Sequence, residues 1–170
     1  MKKVIGRILS VTGAIIMVLL ILVCLPFTLP KLFGIQLYEV KTESMEPEYP
    51  VGSVVYVRSA SFDEISVGDV VTYSLGTDTD LVMTHRVIEI DQEKQCFITK
   101  GDANAVEDAD PVSFSRVIGK PVCCIEKIAV ISNFINSAFG IKVIVSIFVL
   151  VLAMWLIADQ LKKTGHKKNT

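Results

Sequence analysis

Histidine is almost missing from this chain. Two occur among 170 residues: His85 in Thr84-His85-Arg86-Val87, and His166 in a lysine-rich tail where it reads as solvated. Any chemistry that needs an imidazole near neutrality therefore falls on His85. Cysteine is scarce as well. Cys24 lies in an apolar run, and Cys96, Cys123 and Cys124 lie in the middle of the chain, with no Cys-x-x-Cys pair. The adjacent Cys123 and Cys124 cannot bridge each other, and the three outer cysteines cannot all pair within one chain. A bridge from Cys96 to one of them is possible, and the expectation is of mostly buried, small apolar side chains. A basic excess is also lacking. Between Glu39 and Glu126 there are 17 acids and seven bases, 7 − 17 = −10, which argues against a nucleic-acid partner.

Charge is absent altogether from two stretches. Ile8 to Pro30 is an uncharged run of 23 residues, and Val143 to Ala158 is one of 16. The first is long enough to cross a hydrocarbon core of roughly 30 Å, and the second becomes so once Phe139 to Lys142 is added. They account for a mean hydropathy of +0.54. Lys2, Lys3 and Arg7 precede the first run, as in a cleavable leader. Its apolar region nevertheless continues through Leu25-Pro26-Phe27-Thr28-Leu29-Pro30 without a small-x-small site, so an uncleaved anchor is expected. Pro26 and Pro30 should break its end. Lysines flank the outer end of each run, which puts both termini in the cytoplasm and the acidic middle outside. The expected order is a cytoplasmic N-terminus (1–7), a first span (8–30), an outer domain (31–138), a second span (139–158) and a cytoplasmic tail (159–170).

Between the spans the apolar period is two. Ser53–Val57, Val70–Leu75, Leu81–Ile90 and Cys96–Lys100 read as strands, joined by turns at Gly68-Asp69, Gly76–Asp80 and Asp91–Lys94. Val112–Ile118 and Val122–Ile125 read as two further strands separated by Gly119-Lys120-Pro121. The fold class is mainly β: a small antiparallel sheet domain between two transmembrane helices. Lys31 to Ile35 stays apolar beyond the first span. Ile128 to Phe139 is uncharged but holds Ser132, Asn133, Asn136 and Ser137. Both suit the membrane interface.

Three short runs stand out in this domain. Ser44 lies in Thr42-Glu43-Ser44-Met45-Glu46-Pro47, 14 residues beyond Pro30. His85 follows, and then Lys100-Gly101-Asp102-Ala103-Asn104-Ala105-Val106-Glu107-Asp108. A serine hydroxyl needs a base within hydrogen-bond reach to become a nucleophile, and an imidazole held by a carboxylate supplies one. Taken singly, Ser44 is an ordinary loop serine, His85 a strand histidine, and Asp102 to Asp110 a solvated acidic turn. An EF-hand is excluded because its sixth position is Glu107 and its twelfth is Ser113.

In this order the three runs resemble the boxes of the type I signal peptidases. The similar branch is that of the endoplasmic reticulum, archaea and some Gram-positive bacteria. Ser44-Met45-Glu46-Pro47, His85-Arg86 and Gly101-Asp102-Ala103-Asn104 with Asp108 match its three boxes, and Val67–Val71 matches a framework strand. The histidine assigns the branch, since the other bacterial branch has lysine there. The resemblance implies a membrane-bound serine endopeptidase that removes signal peptides from secretory preproteins through an acyl-enzyme. It calls for no cofactor or metal. Carried over, Ser44 is the nucleophile, His85 the general base and Asp108 the triad acid. Asp102 braces the loop or competes for the triad place. The alternatives are a catalytically inactive tethered β module that binds preproteins or partners, a lysine-dependent self-cleaving repressor-type peptidase, and a two-span structural protein.

Overall fold

The computed structural model of the chain describes residues 2–76 and 81–164. The expected turn at 77–80, His166 and the end of the tail lie outside the described residues. The chain divides into a helical unit (1–28 and 133–170) and a sheet unit (29–132).

Two helices, α1 (Lys2–Leu32) and α3 (Ala138–Thr164), are long and apolar enough to cross a membrane. The expected break at Pro26 and Pro30 does not occur, and α1 continues to Leu32. Proline removes one donor and crowds the preceding turn, but in an apolar helix the intact flanking hydrogen bonds outweigh a local break. Within the helical unit α1 and α3 run antiparallel and approach closely at two glycines. A Cβ on Gly6 would stand 2.8 Å from the Ala158 carbonyl oxygen, and one on Gly13 2.7 Å from Trp155 Nε1. Ser10, between them, accepts from Lys162 Nζ at 2.6 Å through its hydroxyl and from Trp155 Nε1 at 3.3 Å through its carbonyl. Small residues and interhelical hydrogen bonds are what join helices where lipid offers no hydrophobic gain.

The sheet unit contains seven antiparallel strands in the order β1-β2-β7-β3-β4-β5-β6. These are β1 (Ile35–Glu39), β2 (Val54–Arg58), β3 (Val70–Ser74), β4 (Val82–Asp91), β5 (Cys96–Lys100), β6 (Val112–Ser113) and β7 (Val117–Ile125). The mainly antiparallel β fold anticipated between two apolar helices is the one observed. Three details differ. β1 was not anticipated. The strand expected from Val112 shrinks to two residues and gives way to a 3-10 turn, Phe114–Arg116. Gly119-Lys120-Pro121 does not separate two strands, because β7 passes through it. The register shifts there instead, letting one strand pair with β2 on one side and β3 on the other. Gly119 permits this: a Cβ there would stand 2.0 Å from the Arg58 carbonyl oxygen.

The core lies on one face of β3, β4 and β5, where Val71, Tyr73, Val87, Phe97 and Val112 are buried with Ile65. Phe62, Phe97 and Phe114 stack at its edge with centroids 5.1 to 6.5 Å apart. A second cluster, Val54, Tyr56 and Ala129, joins β2 to the start of a short helix, α2 (Ala129–Asn136). The four cysteines are free and none is fully buried; Cys123 is exposed, against expectation.

Candidate active site

Ser44 sits in the middle of a 3-10 turn, Glu43–Met45, between β1 and β2. The turn is pinned from below by Met45, which is buried, and its carbonyl accepts from Tyr49 N–H at 2.9 Å. From above it is held by the acidic loop, where Ala103 N–H donates to the Ser44 carbonyl at 2.9 Å. Gly101 makes that approach possible, since a Cβ there would stand 2.6 Å from the same carbonyl oxygen. The chain therefore fixes the serine backbone before any side chain is considered.

His85 lies opposite Val71 in the β3–β4 ladder and shares the core face, which leaves it 2% exposed. Its Nε2 is 3.1 Å from Ser44 Oγ, and its Nδ1 is 2.6 Å from Asp108 Oδ2. The carboxylate can only accept, so Nδ1 carries the proton and Nε2 faces the serine as an acceptor. Asp108 is placed by its own N–H, which donates to the Thr99 carbonyl on β5 at 2.9 Å. Two hydroxyls reach the same carboxylate oxygen: Thr99 at 2.6 Å and Tyr73 at 3.1 Å. Burial works against charge on Asp108, but hydrogen bonds from His85, Thr99 and Tyr73 hold it below the usual carboxylate range. Burial, with the Asp108 charge beside it, pushes the Tyr73 phenol up to about 12, so this hydroxyl keeps its proton.

Asp102 does not join this chain of hydrogen bonds. It takes Arg86 bidentately, at 2.8 Å to Oδ1 and 2.6 Å to Oδ2. Arg86 also donates to Glu48 at 3.0 Å and to the Gly68 carbonyl at 2.8 Å. Asp102, followed by Glu48, holds the guanidinium firmly charged. Three participants were not singled out from the sequence: Thr42, Tyr73 and Thr99. Thr42 Oγ1 lies 3.2 Å from Ser44 Oγ. Only its two-residue spacing from Ser44 could have pointed to it. Among the described residues no group of three or more His, Cys, Asp or Glu side chains is placed to hold a metal ion.

The profile of the family described as signal peptidase, peptidase S26, matches residues 9–94, just over half of the chain. The chain belongs to this family. The matched stretch contains Ser44 and His85 and ends before the acidic loop. Among curated relatives, it is 38% identical over 91 residues to signal peptidase I W of Bacillus subtilis, covering 52% of this chain and 47% of that one. It is 37% identical over 67 residues to the signal peptidase complex catalytic subunit SEC11 of Candida dubliniensis, covering 38% and 39%. With the SEC11 subunit of Zygosaccharomyces rouxii the identity is 38% over 68 residues, covering 38% and 40%. The chain thus spans less than half the length of these curated relatives.

Proposed function

We propose that this S26-family chain is a membrane-anchored serine endopeptidase that cleaves signal peptides from secretory preproteins. One observation carries the reading: the unbroken hydrogen-bond path from Ser44 Oγ through His85 to Asp108, built on residues from the three family boxes. In the reaction, His85 Nε2 takes the Ser44 proton as Oγ attacks the scissile carbonyl. Asp108 keeps the imidazole in the tautomer that can do so and stabilises the imidazolium that results. The carbonyl oxygen gains negative charge on this reading beside the Ser44 N–H and the Thr42 hydroxyl, whose oxygen lies 3.2 Å from Ser44 Oγ. His85 then gives its proton to the leaving amine, the signal peptide remains as an ester on Ser44, and water activated by the same imidazole releases it. Asp102 acts as a brace through Arg86 rather than as the triad acid.

The charge distribution supports cytoplasmic ends, with α1 and α3 as spans and the sheet unit on the outer side. Leu32, Phe33, Val130 and Ile131, all exposed in the sheet unit, suit the interface where a preprotein's cleavage site emerges. The family relationship supports a preprotein substrate. The test is cleavage of a labelled preprotein by the purified chain in lipid. Ser44→Ala should leave melting unchanged and reduce cleavage to background. A Ser44→Ala variant as active as wild type would remove the serine mechanism.

A further inference from the structure

Asp108 Oδ2 receives three donors, and only one of them belongs to the relay. The others are the Thr99 hydroxyl at 2.6 Å and the Tyr73 hydroxyl at 3.1 Å. Both hydroxyls are in the interior: Thr99 is 0% and Tyr73 3% exposed. The two oxygens are also 3.3 Å apart. Each hydroxyl has one proton, and with both directed at Oδ2 neither is left to donate to the other. Burying two hydroxyls beside a carboxylate is tolerated because each donates to it, and loss of either leaves the carboxylate one donor short.

The three donors come from three adjacent strands, Tyr73 from β3, His85 from β4 and Thr99 from β5. In the ladders Val71 faces His85 and Val87 faces Thr99, so all three share the core face. Asp108 itself belongs to a loop, and its backbone tie to Thr99 leaves the side chain free to rotate. Fixing a loop carboxylate to better than an ångström therefore falls to the sheet. The Tyr73 ring also stands edge-on to the imidazole, with centroids 6.5 Å apart and planes at 74°. The titratable groups facing Asp108 are His85 and Tyr73, while Arg116 adds its charge on the Tyr73 side.

We propose that Tyr73 and Thr99 are positioning residues for the relay: together they lock the Asp108 carboxylate onto His85 Nδ1 and share its negative charge. This rests on the peptidase reading above. By sharing the charge, the hydroxyls weaken the carboxylate's hold on the imidazolium. Removing one concentrates the charge on the histidine, so the protonated, inactive form persists to higher pH. Loss of position lowers the rate at every pH.

The test measures kcat, KM and the pH profile of preprotein cleavage for wild type, Thr99→Val, Thr99→Ser and Tyr73→Phe, with melting temperature alongside. Thr99→Val should lower kcat by roughly ten- to a hundredfold, the effect of a hydrogen bond to a charged group. KM should change little, and the acid limb of kcat should move to higher pH. Tyr73→Phe, with the longer contact, should follow in the same direction by less. Thr99→Ser, which keeps the hydroxyl, should recover most of the wild-type rate and profile. A purely structural role would lower melting without moving the acid limb. Wild-type kcat and acid limb in both Thr99→Val and Tyr73→Phe would overturn the proposal and leave the peptidase reading intact. Cleavage absent from wild type, or equal in Ser44→Ala, would instead overturn both. If Tyr73→Phe does not fold, the contrast between Thr99→Val and Thr99→Ser decides: equal rates overturn the proposal.

Discussion

The same three segments of this chain are joined twice, once on each face of β4. On the core face Ser44, His85 and Asp108 form a path of hydrogen bonds. On the other, Glu48, Arg86 and Asp102 form a cluster of ion pairs. His85 and Arg86 are consecutive, so the alternation of the strand sends one inward and the other outward. The centre of the inner set is nearly dry, with the His85 side chain 3% exposed, and Asp108 is 20% exposed; in the outer set the central Arg86 is 30% and Glu48 54% exposed. Inside, a misplaced proton or charge is costly and geometry controls reactivity. Outside, water screens each ion pair, and what remains is mainly a mechanical tie. Two carboxylates six residues apart thus take different partners because those partners point in opposite directions from β4.

Exchanging a single atom in each carboxylate is the sharpest way to break this contrast. Asp108→Asn should keep the fold and lower kcat by about 10⁴, because an amide permits the wrong imidazole tautomer. Asp102→Asn should leave the relay in place but weaken the Arg86 tie. The expected cost is roughly 1 kcal/mol of stability, between exposed and buried pairs, with a modest loss of rate. Melting temperature and acylation rate measured in one lipid separate the two. Loss of acylation at wild-type melting in Asp102→Asn, with Asp108→Asn active, would reverse the assignment.

Acid pH should act on the inner face in a way that melting can follow. The Asp108 carboxyl is held below its usual range, against burial, by His85, Thr99 and Tyr73, so the folded state resists protonation that the unfolded chain accepts. Its contribution is fully present above the unfolded value of about 3.9 and is lost as pH falls through the lower folded value. Asp69 behaves likewise: burial opposes its charge, while Lys120 and the Ser66 N–H hold its carboxyl low. Melting temperature should therefore decline as pH drops below about 4. Asp108→Asn should decline less steeply than wild type, and equal slopes would show that the inner carboxylate contributes nothing to acid stability.

The parts of this site that could be read from the sequence are those announced by residue type within a short run. Ser44, His85 and Asp108 each fall in such a run, and the two apolar helices and the period-two strands are local patterns too. What could not be read depends on register between distant strands. Tyr73 and Thr99 are 35 and nine residues from Asp108, and nothing in Val70–Ser74 marks its tyrosine as different from a core aromatic. β1 was missed because its first residue, Ile35, ends the apolar run from Lys31 that suggested an interface, and Gln36 to Glu39 carried no reading as a strand. β7 was divided because Gly119 and Pro121 are ordinary turn signals. Their effect was overridden by pairing on both sides and by the need for close approach to Arg58. At Pro26 the override is of the same kind, with helix continuity prevailing over a local breaker.

Glu48 offers the smallest and most discriminating test of the outer set. It comes from the same segment as Ser44, four residues on, and meets only one Arg86 nitrogen, at 3.0 Å. Asp102 already holds that guanidinium with two hydrogen bonds, and Gly68 takes a third. Glu48→Gln keeps the shape and a hydrogen-bonding group while removing the charge. Because the carboxylate is more than half exposed, solvent recovers most of what is lost. Melting should shift by no more than an ordinary surface substitution, within about 0.5 kcal/mol. The pH profile of cleavage should be that of wild type, since Glu48 has no hydrogen bond to the relay. Raising the salt should shrink even this small difference in melting. A large loss of kcat in Glu48→Gln at unchanged melting would show that the outer cluster aims Ser44 at His85, making the two faces one device.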